Sequence, residues 1–522
     1  MLSSIVLVWG YHNDGVNSFF RKQINPRIKT YLKINLYTSI NKSAHFFDLK
    51  GKTLSFLHPV NDSNIVKLSI PNKQMNSLIK RKKKWIDIGV FIDNTLHSAK
   101  LKFHGTSSAH YFDGKYSFRI KMKKKSRLLN KMKVFNLIKA EEADPTIIAA
   151  NKLAANLGLI ASYGKMVMLK INNKDWGAYY LVERISDVLL EREFSISTYS
   201  KLSNVADWTR KENNFGSNHI SDFDLYSGHI ESNDSHLHAL AIGKYKEMCL
   251  TAKQENSEKL IQFFDIEYMG KYLALLAMFN DIHHVSGDNF KLIYDFKSNK
   301  FYPIYRQENG SQPLFNEIST QEDAFFNNYT NFNKFVFFKS LPNYSHATNT
   351  IILKLFLSNE KVRNLRDKYL YQIVKAKKQH LNSFKDTYKE NLSVLYASSL
   401  SRRSQYFKEK QQLEVFSSMC DYAEKYINYA HIYGSFNLSD SNLNMIADAF
   451  CQVKILSKQN LIHNYYTNGI GFDNELNIKY QYIDIPIKNR DLEMENLIFI
   501  NNITKDTINP GHIYINKLIN GK

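Results

Sequence analysis

The stretch that decides the fold opens with Lys102-Phe103-His104-Gly105-Thr106-Ser107-Ser108, continues with Lys115-Tyr116-Ser117-Phe118-Arg119-Ile120-Lys121 and closes with Asn172-Asn173-Lys174-Asp175-Trp176-Gly177-Ala178-Tyr179-Tyr180-Leu181-Val182-Glu183. In the middle run apolar and polar residues alternate, which predicts a strand with its polar side chains on one face. That face would carry Lys115, Ser117, Arg119 and Lys121. A solvated strand edge has the same pattern, but here a small-residue turn precedes it and could bring a phosphate over the face.

Local signals on either side predict a strand, a helix and a hairpin. Residues 85–92 read as a strand, and Asp93-Asn94 as a turn that leads into a half-buried return strand. Asp144-Pro145 is a helix start, with Asp as the N-cap and Pro at the first helical position, and Gly158 is a natural stop. Residues 166–171 and 177–183 form the next hairpin.

The composition favours a soluble globular chain with anionic partners. The 522 residues carry a formal net charge of +21, which attracts nucleotides, acidic proteins, nucleic acids, phospholipids or acidic glycans. Lysine-rich codon usage is the simpler explanation, although basic clusters at 80–84 and 121–127 bracket the polar strand. No helix-turn-helix, zinc-finger or RNA-binding signature accompanies them, so nucleic acid is not the favoured partner. The three cysteines fit neither a metal knuckle nor a disulfide framework.

The order of these motifs resembles the CotH family of atypical kinases. In that family a G-[ND/T]-S-S-like turn precedes a K-x-S-[YF]-x-[IV]-K strand, and an N-G-x-x-x-G-x-Y-x-L-x-E hairpin follows. Asn173 stands where the family usually has glycine, and asparagine tolerates the left-handed conformation. The resemblance implies an α+β, atypical protein-kinase-like core with an N-terminal β region and a C-terminal helical extension. It also implies transfer of phosphate from ATP, with Mg²⁺, to a hydroxyl acceptor, a protein serine or threonine above all.

One half of the implied site binds the nucleotide. The turn can offer backbone N–H groups and hydroxyls to phosphate oxygens, and Lys115 would be the phosphate-binding lysine. Glu183 would orient that lysine, by pairing with Lys115 or with Arg119; a surface pair with Arg184 is the alternative. The cofactor-binding set is therefore Gly105, Ser107, Ser108, Lys115, Arg119 and Glu183.

The other half follows an apolar helix that ends near residue 279. In protein kinases the base aspartate and a metal-binding asparagine share one loop. By resemblance Asn289 would hold the metal, and Asp281 would be the base, with His284 as the second choice. A zinc site at His283-His284 lacks an H-E-x-x-H pattern or a cysteine partner and is not favoured.

One departure from the family bears on activity. Family members read P-I-x-W-D-x-D after the next strand, whereas this chain has Gln307 and Asn309 at the two aspartate positions. Mg²⁺ prefers carboxylate and phosphate oxygens. Either Glu308 replaces the missing acid as a metal ligand, or the metal site is weakened. A catalytically degenerate binding or scaffold protein is the first alternative to a kinase, and a kinase acting on a small molecule or glycan is the second.

The expected organisation has three parts: an accessory β region at 1–84, the kinase-like domain at 85–345, and a mainly helical region with terminal β segments at 346–522. Residues 195–255 are polar and irregular, typical of an insertion or a mobile substrate-facing loop. The apolar amino terminus is too short to span a bilayer, which favours a buried strand and a cytoplasmic protein. Export or membrane association stays open if the true start lies upstream, and the basic surface could also contact a membrane.

Overall fold

Seven strands between residues 65 and 183 close into a β-barrel. They are β1 (Ile65–Ser69), β2 (Ile86–Ile92), β3 (Thr95–Phe103), β4 (Phe118–Met122), β5 (Val134–Lys139), β6 (Gly164–Ile171) and β7 (Lys174–Glu183). Their order around the barrel is β1-β2-β3-β4-β5-β7-β6. The ring closes where β1 pairs in parallel with β6, while the other neighbouring strands are antiparallel.

The computed structural model describes residues 56–71, 73–75, 84–92, 95–104, 116–123, 132–139, 145–203, 229–232, 234–279, 290–306, 348–397, 408–437, 442–449, 451–457, 465–467, 471–472, 478–479, 482–486, 497–508 and 513–514. Within these ranges no helix is both long enough and apolar enough to cross a membrane.

Alternating side chains fill the barrel. Val90, Leu101, Phe118, Leu137 and Leu181 are fully buried in its interior, and they come from five different strands. Each such side chain stabilises the fold by about 1.5–3 kcal/mol relative to an exposed one. The predicted hairpin turn is confirmed: Asn172 and Asn173 have φ values of 49° and 60°.

The closed barrel corrects the predicted fold class. We expected a kinase-like core preceded by an N-terminal β region and followed by a helical extension, and that prediction is wrong. β1, from the stretch assigned to the accessory region, pairs with β2 on one side and with β6 on the other. Each strand edge therefore finds a partner, and closure leaves no open edge. The domain boundaries at 84 and 345 stay a prediction.

Two helices pack on the outside of β6 and β7. The first, α1 (Pro145–Asn156), begins at the proline that the sequence predicted. The second, α8 (Lys377–Ala397), comes from the second half of the chain. Asn391 of α8 accepts a hydrogen bond of 2.7 Å from the backbone N–H of Met166 in β6. This contact joins two segments that lie more than two hundred residues apart in sequence.

A second sheet and a helical layer lie beside the barrel. The sheet has the order β11-β10-β8-β9. Its strands are β8 (Tyr199–Ser203), β9 (His229–Ser232), β10 (Lys291–Asp295) and β11 (Lys300–Pro303), and the remaining helices are α2 (Asp187–Phe194), α3 (His238–Lys253), α4 (Ser257–Leu260), α5 (Ile266–Phe279), α6 (Thr348–Ser358), α7 (Glu360–Lys375) and α9 (Lys408–Asn428).

Regular structure in residues 195–255 differs from the irregular loop that we expected. β8, β9 and α3 all fall in this range. Tyr245, Met248 and Cys249 of α3 are buried in the same core as the apolar helix α5. Burial of one helix face outweighs the polar composition that suggested a loop.

The last part of the chain forms short strands. Among the described residues they make two four-stranded sheets and one pair, in the orders β18-β13-β12-β21, β15-β14-β19-β20 and β16-β17. Their bounds are β12 (Ala430–Asn437), β13 (Asn442–Ala449), β14 (Val453–Ser457), β15 (Tyr465–Thr467), β16 (Gly471–Phe472), β17 (Ile478–Lys479), β18 (Tyr482–Pro486), β19 (Leu497–Asn501), β20 (Thr507–Ile508) and β21 (Ile513–Tyr514).

Candidate functional site

The strand register gives the barrel two distinct ends. At the first end lie the β2–β3 connection, the end of β4, the start of β6 and the end of β7. At the second end β3 leaves the barrel after Phe103, and the chain re-enters at Phe118, directly opposite. The predicted phosphate-binding segment, residues 105–115, connects these two positions and lies outside the described residues.

Glu183 ends β7 at the first end, and its carboxylate is buried. Its side chain is 0% exposed and forms an ion pair of 2.8 Å with Arg192 of α2, whose side chain is 22% exposed. Both carboxylate oxygens receive hydrogen bonds from the guanidinium, at 2.8 Å and 3.3 Å. This bidentate geometry is the strong form of the Arg–carboxylate contact. The described partner of Glu183 is thus Arg192, and a pair with Lys115 stays a prediction.

Burial and the ion pair act on Glu183 in opposite directions. Removal of the carboxyl group from water raises its pKa, the neighbouring Arg192 lowers it, and burial has the larger effect. The hydrogen bond to Glu183 in turn raises the pKa of Arg192. A buried carboxylate of this kind depends on its cation, because a lone charge in the same place would lack solvation.

Arg119 lies on the outer face of the barrel wall, whereas Glu183 lies on the inner face. Its Nε donates a hydrogen bond of 3.1 Å to Oδ1 of Asn136, and its Nη2 lies 3.1 Å from Nδ1 of His104. Phe118 and Ile120, its neighbours in β4, point into the barrel, so Arg119 points outward. Glu183 is opposite Phe135 in the register and shares the inward direction of that residue. Arg119 and Glu183 therefore face opposite sides of the wall.

A second ion pair ties α2 to the first end. Nζ of Lys133, which immediately precedes β5, lies 2.8 Å from Oδ2 of Asp187, the first residue of α2. Burial acts to raise the pKa of Asp187, but the hydrogen bond and charge of Lys133 together lower it. Both pairs bring α2 against the barrel at the end where Glu183 lies.

Three predicted functional segments leave the second sheet at one end. Ser203, the last residue of β8, is opposite Lys291, the first residue of β10, and also opposite His229 at the start of β9. Pro303, the last residue of β11, is opposite Leu292. Residues 204–228, 280–289 and 307–310 are attached at this end of the sheet, although they lie outside the described residues. They include the predicted base, both metal ligands and part of the expected substrate-facing loop.

Tyr268 of α5 fixes this sheet end relative to the barrel. Its buried hydroxyl accepts a hydrogen bond of 2.8 Å from the N–H of Ile160 and donates one of 2.7 Å to the carbonyl of Pro303. Next along the chain, the N–H of Tyr305 donates to the carbonyl of Ile160 at 2.8 Å, and Tyr305 forms a parallel bridge with Ala161. Because β6 starts three residues after Ala161, the end of β11 runs toward the first end of the barrel.

Most of the predicted site residues lie outside the described part of the chain. Only Arg119 and Glu183 are described, and the structure does not bring these two together. Across the described residues, no group of three or more His, Cys, Asp or Glu side chains is arranged to hold a metal. The predicted residues outside the described ranges are Gly105, Ser107, Ser108, Lys115, Asp281, His284, Asn289 and Glu308.

Two charged residues near the barrel were not predicted from the sequence. Arg192 gave no local signal, since its partner lies nine positions away on a different element. Lys139 ends β5, is 2% exposed and lies opposite Tyr179, which points into the barrel. Alternation along residues 134–139 could have identified Lys139, because it occupies the same parity as the buried Phe135 and Leu137.

Comparisons with known proteins find one family. The model of the family described as CotH kinase protein matches residues 101–430, which is more than half of the chain. A search of individually curated proteins finds no match.

Proposed function

The chain belongs to the CotH kinase protein family, and from that premise we propose that it transfers the γ-phosphoryl group of ATP to a serine or threonine hydroxyl of a protein acceptor. Family membership supports a kinase-like function as such. The nucleotide, the acceptor class and the residue roles below are the proposal. The observation that carries it is the common origin of residues 204–228, 280–289 and 307–310 at one end of the second sheet.

The acceptor and metal residues fit this chemistry. Asn289 and Glu308 supply amide and carboxylate oxygens, the donor types that Mg²⁺ accepts. Asn289 comes shortly before Lys291 and Glu308 shortly after Pro303, two strand ends at the same end of the sheet. Magnesium, when bound, would neutralise charge on the phosphate oxygens. Asp281, or His284 in its place, would take the proton from the acceptor hydroxyl. The acceptor oxygen then bonds to the γ-phosphorus while the bond between the γ-phosphorus and the β–γ bridging oxygen breaks, and ADP leaves.

The nucleotide would be held between the barrel and this sheet end. Lys115, with Gly105, Ser107 and Ser108, would contact phosphate. By the resemblance, Lys115 would also pair with the carboxylate of Glu183, which Arg192 already binds.

Transfer of labelled phosphate from ATP tests the proposal. We expect the purified chain to phosphorylate itself or a protein acceptor with Mg²⁺. Asp281→Asn should lower turnover by about 10²–10⁴-fold, the usual effect of losing a general base, with ATP binding nearly intact. Asp386→Asn, at an exposed position of α8, is the matched control and should leave turnover unchanged.

A non-catalytic protein is the second candidate, favoured by Gln307 and Asn309 at positions where the family has aspartates. Glu308→Gln separates the two. If Glu308 holds the metal, the substitution should weaken ATP binding in Mg²⁺ and leave binding without metal unchanged. A wild type that binds ATP without transferring phosphate, together with equal binding by Glu308→Gln, would establish the binding-only protein instead.

A further inference from the structure

The outer face of β3 and β4 concentrates positive charge. Lys100 lies directly opposite Lys121, and Lys102 lies directly opposite Arg119. Lys100 and Lys121 are exposed. Like charges directly opposite each other destabilise a sheet, so the stability of the barrel does not account for this pairing. A bound anion would relieve the repulsion.

Acidic residues do little to offset this charge. Asp87 of β2 lies opposite Lys100 and forms an ion pair of 2.7 Å with Lys123. The hydrogen bond with Lys123 lowers the pKa of Asp87. Among the described residues on the outward face of β1 to β4, Asp87 is the only acid, whereas Lys67 adds a further cation on β1. The face is therefore strongly cationic at neutral pH.

An exposed apolar pair adjoins the cations. Phe91 and Leu96 lie opposite each other at the first end of the barrel and are 37% and 56% exposed. Leu96 extends over Gly89, where an added Cβ would lie 2.4 Å from its Cδ1. Leu96 and Lys100 point to the same side of β3 and are four residues apart, or about 13 Å. One flat partner could thus touch both.

We propose that this basic barrel face (Lys67, Phe91, Leu96, Lys100, Lys102 and Lys121) docks on an anionic phospholipid surface. The lysines would meet lipid headgroups, and Phe91 and Leu96 would enter the boundary between headgroups and acyl chains. Nucleic acid carries the negative charge that would complement the lysines. It offers no apolar layer, however, into which the exposed Phe91 and Leu96 could insert. The inference does not rest on phosphoryl transfer, because the residues substituted to test it, Lys100, Lys121 and Leu96, are not among those assigned to the base, the metal or the nucleotide.

Co-sedimentation with vesicles tests the proposal on the full chain. We expect binding to phosphatidylcholine vesicles that contain phosphatidylserine, and little binding to phosphatidylcholine alone. Lys100→Glu with Lys121→Glu should reduce the partition coefficient at least about tenfold. Leu96→Ser should weaken the part of the binding that survives high salt, since salt screens charge but not apolar insertion. Lys174→Glu and Leu240→Ser, exposed positions elsewhere, are the matched controls.

The single variant Lys121→Glu guards against misfolding as an explanation. It would place opposite charges across β3 and β4, and its partner on the other side is the apolar Val134, so its melting temperature should equal or exceed that of the wild type while vesicle binding falls. Equal binding to neutral and anionic vesicles would overturn the proposal, as would equal losses in the control variants. Binding to duplex DNA or to an acidic protein without binding to vesicles would also overturn it and assign the face to that partner.

Discussion

At the residue scale, the buried pair of Glu183 and Arg192 is the feature with the largest consequences. The carboxylate sits at the end of a barrel strand, is 0% exposed, and meets a guanidinium from a helix that follows it in the chain. The family resemblance assigns this glutamate a role beside a lysine, which stays a prediction, and its described partner is an arginine. Arg192 is thus the residue on which the charge state and the orientation of Glu183 depend.

Removal of the arginine should be costly. We expect Arg192→Met to lower the free energy of unfolding by about 3–5 kcal/mol, because it leaves a buried carboxylate without its cation. The double variant Glu183→Gln with Arg192→Met should recover most of that loss. Lys244→Met breaks an exposed pair with Glu247 and should change stability by less than about 1 kcal/mol. Urea unfolding at neutral pH measures all three, and equal losses for Arg192→Met and Lys244→Met would contradict a buried ion pair.

Stability should also depend on pH through Glu183. Burial raises its pKa in the folded chain above the ordinary value of 4.5, so the folded state holds the proton to higher pH than the unfolded state. The resulting stabilisation is complete below the unfolded pKa and is lost as pH rises through the folded pKa. Unfolding curves measured between about pH 4 and about pH 7 should show the free energy of unfolding of Glu183→Gln rising relative to that of the wild type as pH rises. Glu390→Gln, at an exposed position of α8, should leave the pH dependence of the wild type unchanged.

At the element scale, the approach of α5 to α7 depends on one glycine. A Cβ at Gly270 of α5 would lie 2.7 Å from Cβ of Leu365 and 3.0 Å from its backbone carbonyl carbon. A neighbouring backbone cannot move aside as a flexible side chain can. Since α5 leads into residues 280–289 and carries Tyr268, this contact also sets where the candidate base segment begins.

Two glycine-to-alanine variants should therefore act in opposite directions. Gly270→Ala should destabilise the chain by about 1–3 kcal/mol, because it overpacks a close helix crossing. Gly243→Ala lies within α3 with nothing within 4 Å of the added Cβ. It should stabilise the chain by about 0.5–1 kcal/mol through helix propensity. Thermal unfolding measures both, and a stabilising Gly270→Ala would mean that the two helices can separate without loss.

At the scale of the whole molecule, the net charge of +21 has to be distinguished from a specific nucleotide site. A general positive field would attract ATP anywhere on the surface, weakly and in a salt-dependent way. A site would instead stabilise the fold in proportion to its occupancy. A diffuse field and a specific site predict different effects of substituting a single lysine.

Two lysines near each other in sequence make that comparison. With ATP and Mg²⁺ at a hundred times the dissociation constant, we expect about 2.7 kcal/mol of stabilisation, seen as a rise in melting temperature. Lys115→Ala should remove most of this rise at the same ATP concentration, and Lys124→Ala should remove little. Equal effects of the two variants would indicate only a diffuse field, and no rise at millimolar ATP would contradict nucleotide binding altogether.

The sequence by itself determined those features that neighbouring residues encode. Alternation identified β2 and β4, Asp144-Pro145 identified the start of α1, and the asparagine pair identified the β6–β7 turn. The order of motifs identified the family, which the match over residues 101–430 confirms. Periodicity and turn chemistry act within a few residues of one another, so a single chain displays them directly.

Only the tertiary structure decided how distant segments meet. The barrel closes through the parallel pairing of residues 65–68 with residues 168–171, and the described partner of Glu183, Arg192, comes from α2. Pairing in the second sheet likewise places Ser203 opposite Lys291, at the end of the sheet where the three predicted segments are attached. A strand edge offers the same N–H and C=O groups to any other edge, and a buried charge accepts any opposite charge that packing brings near. The choice among such partners is made by the whole core at once.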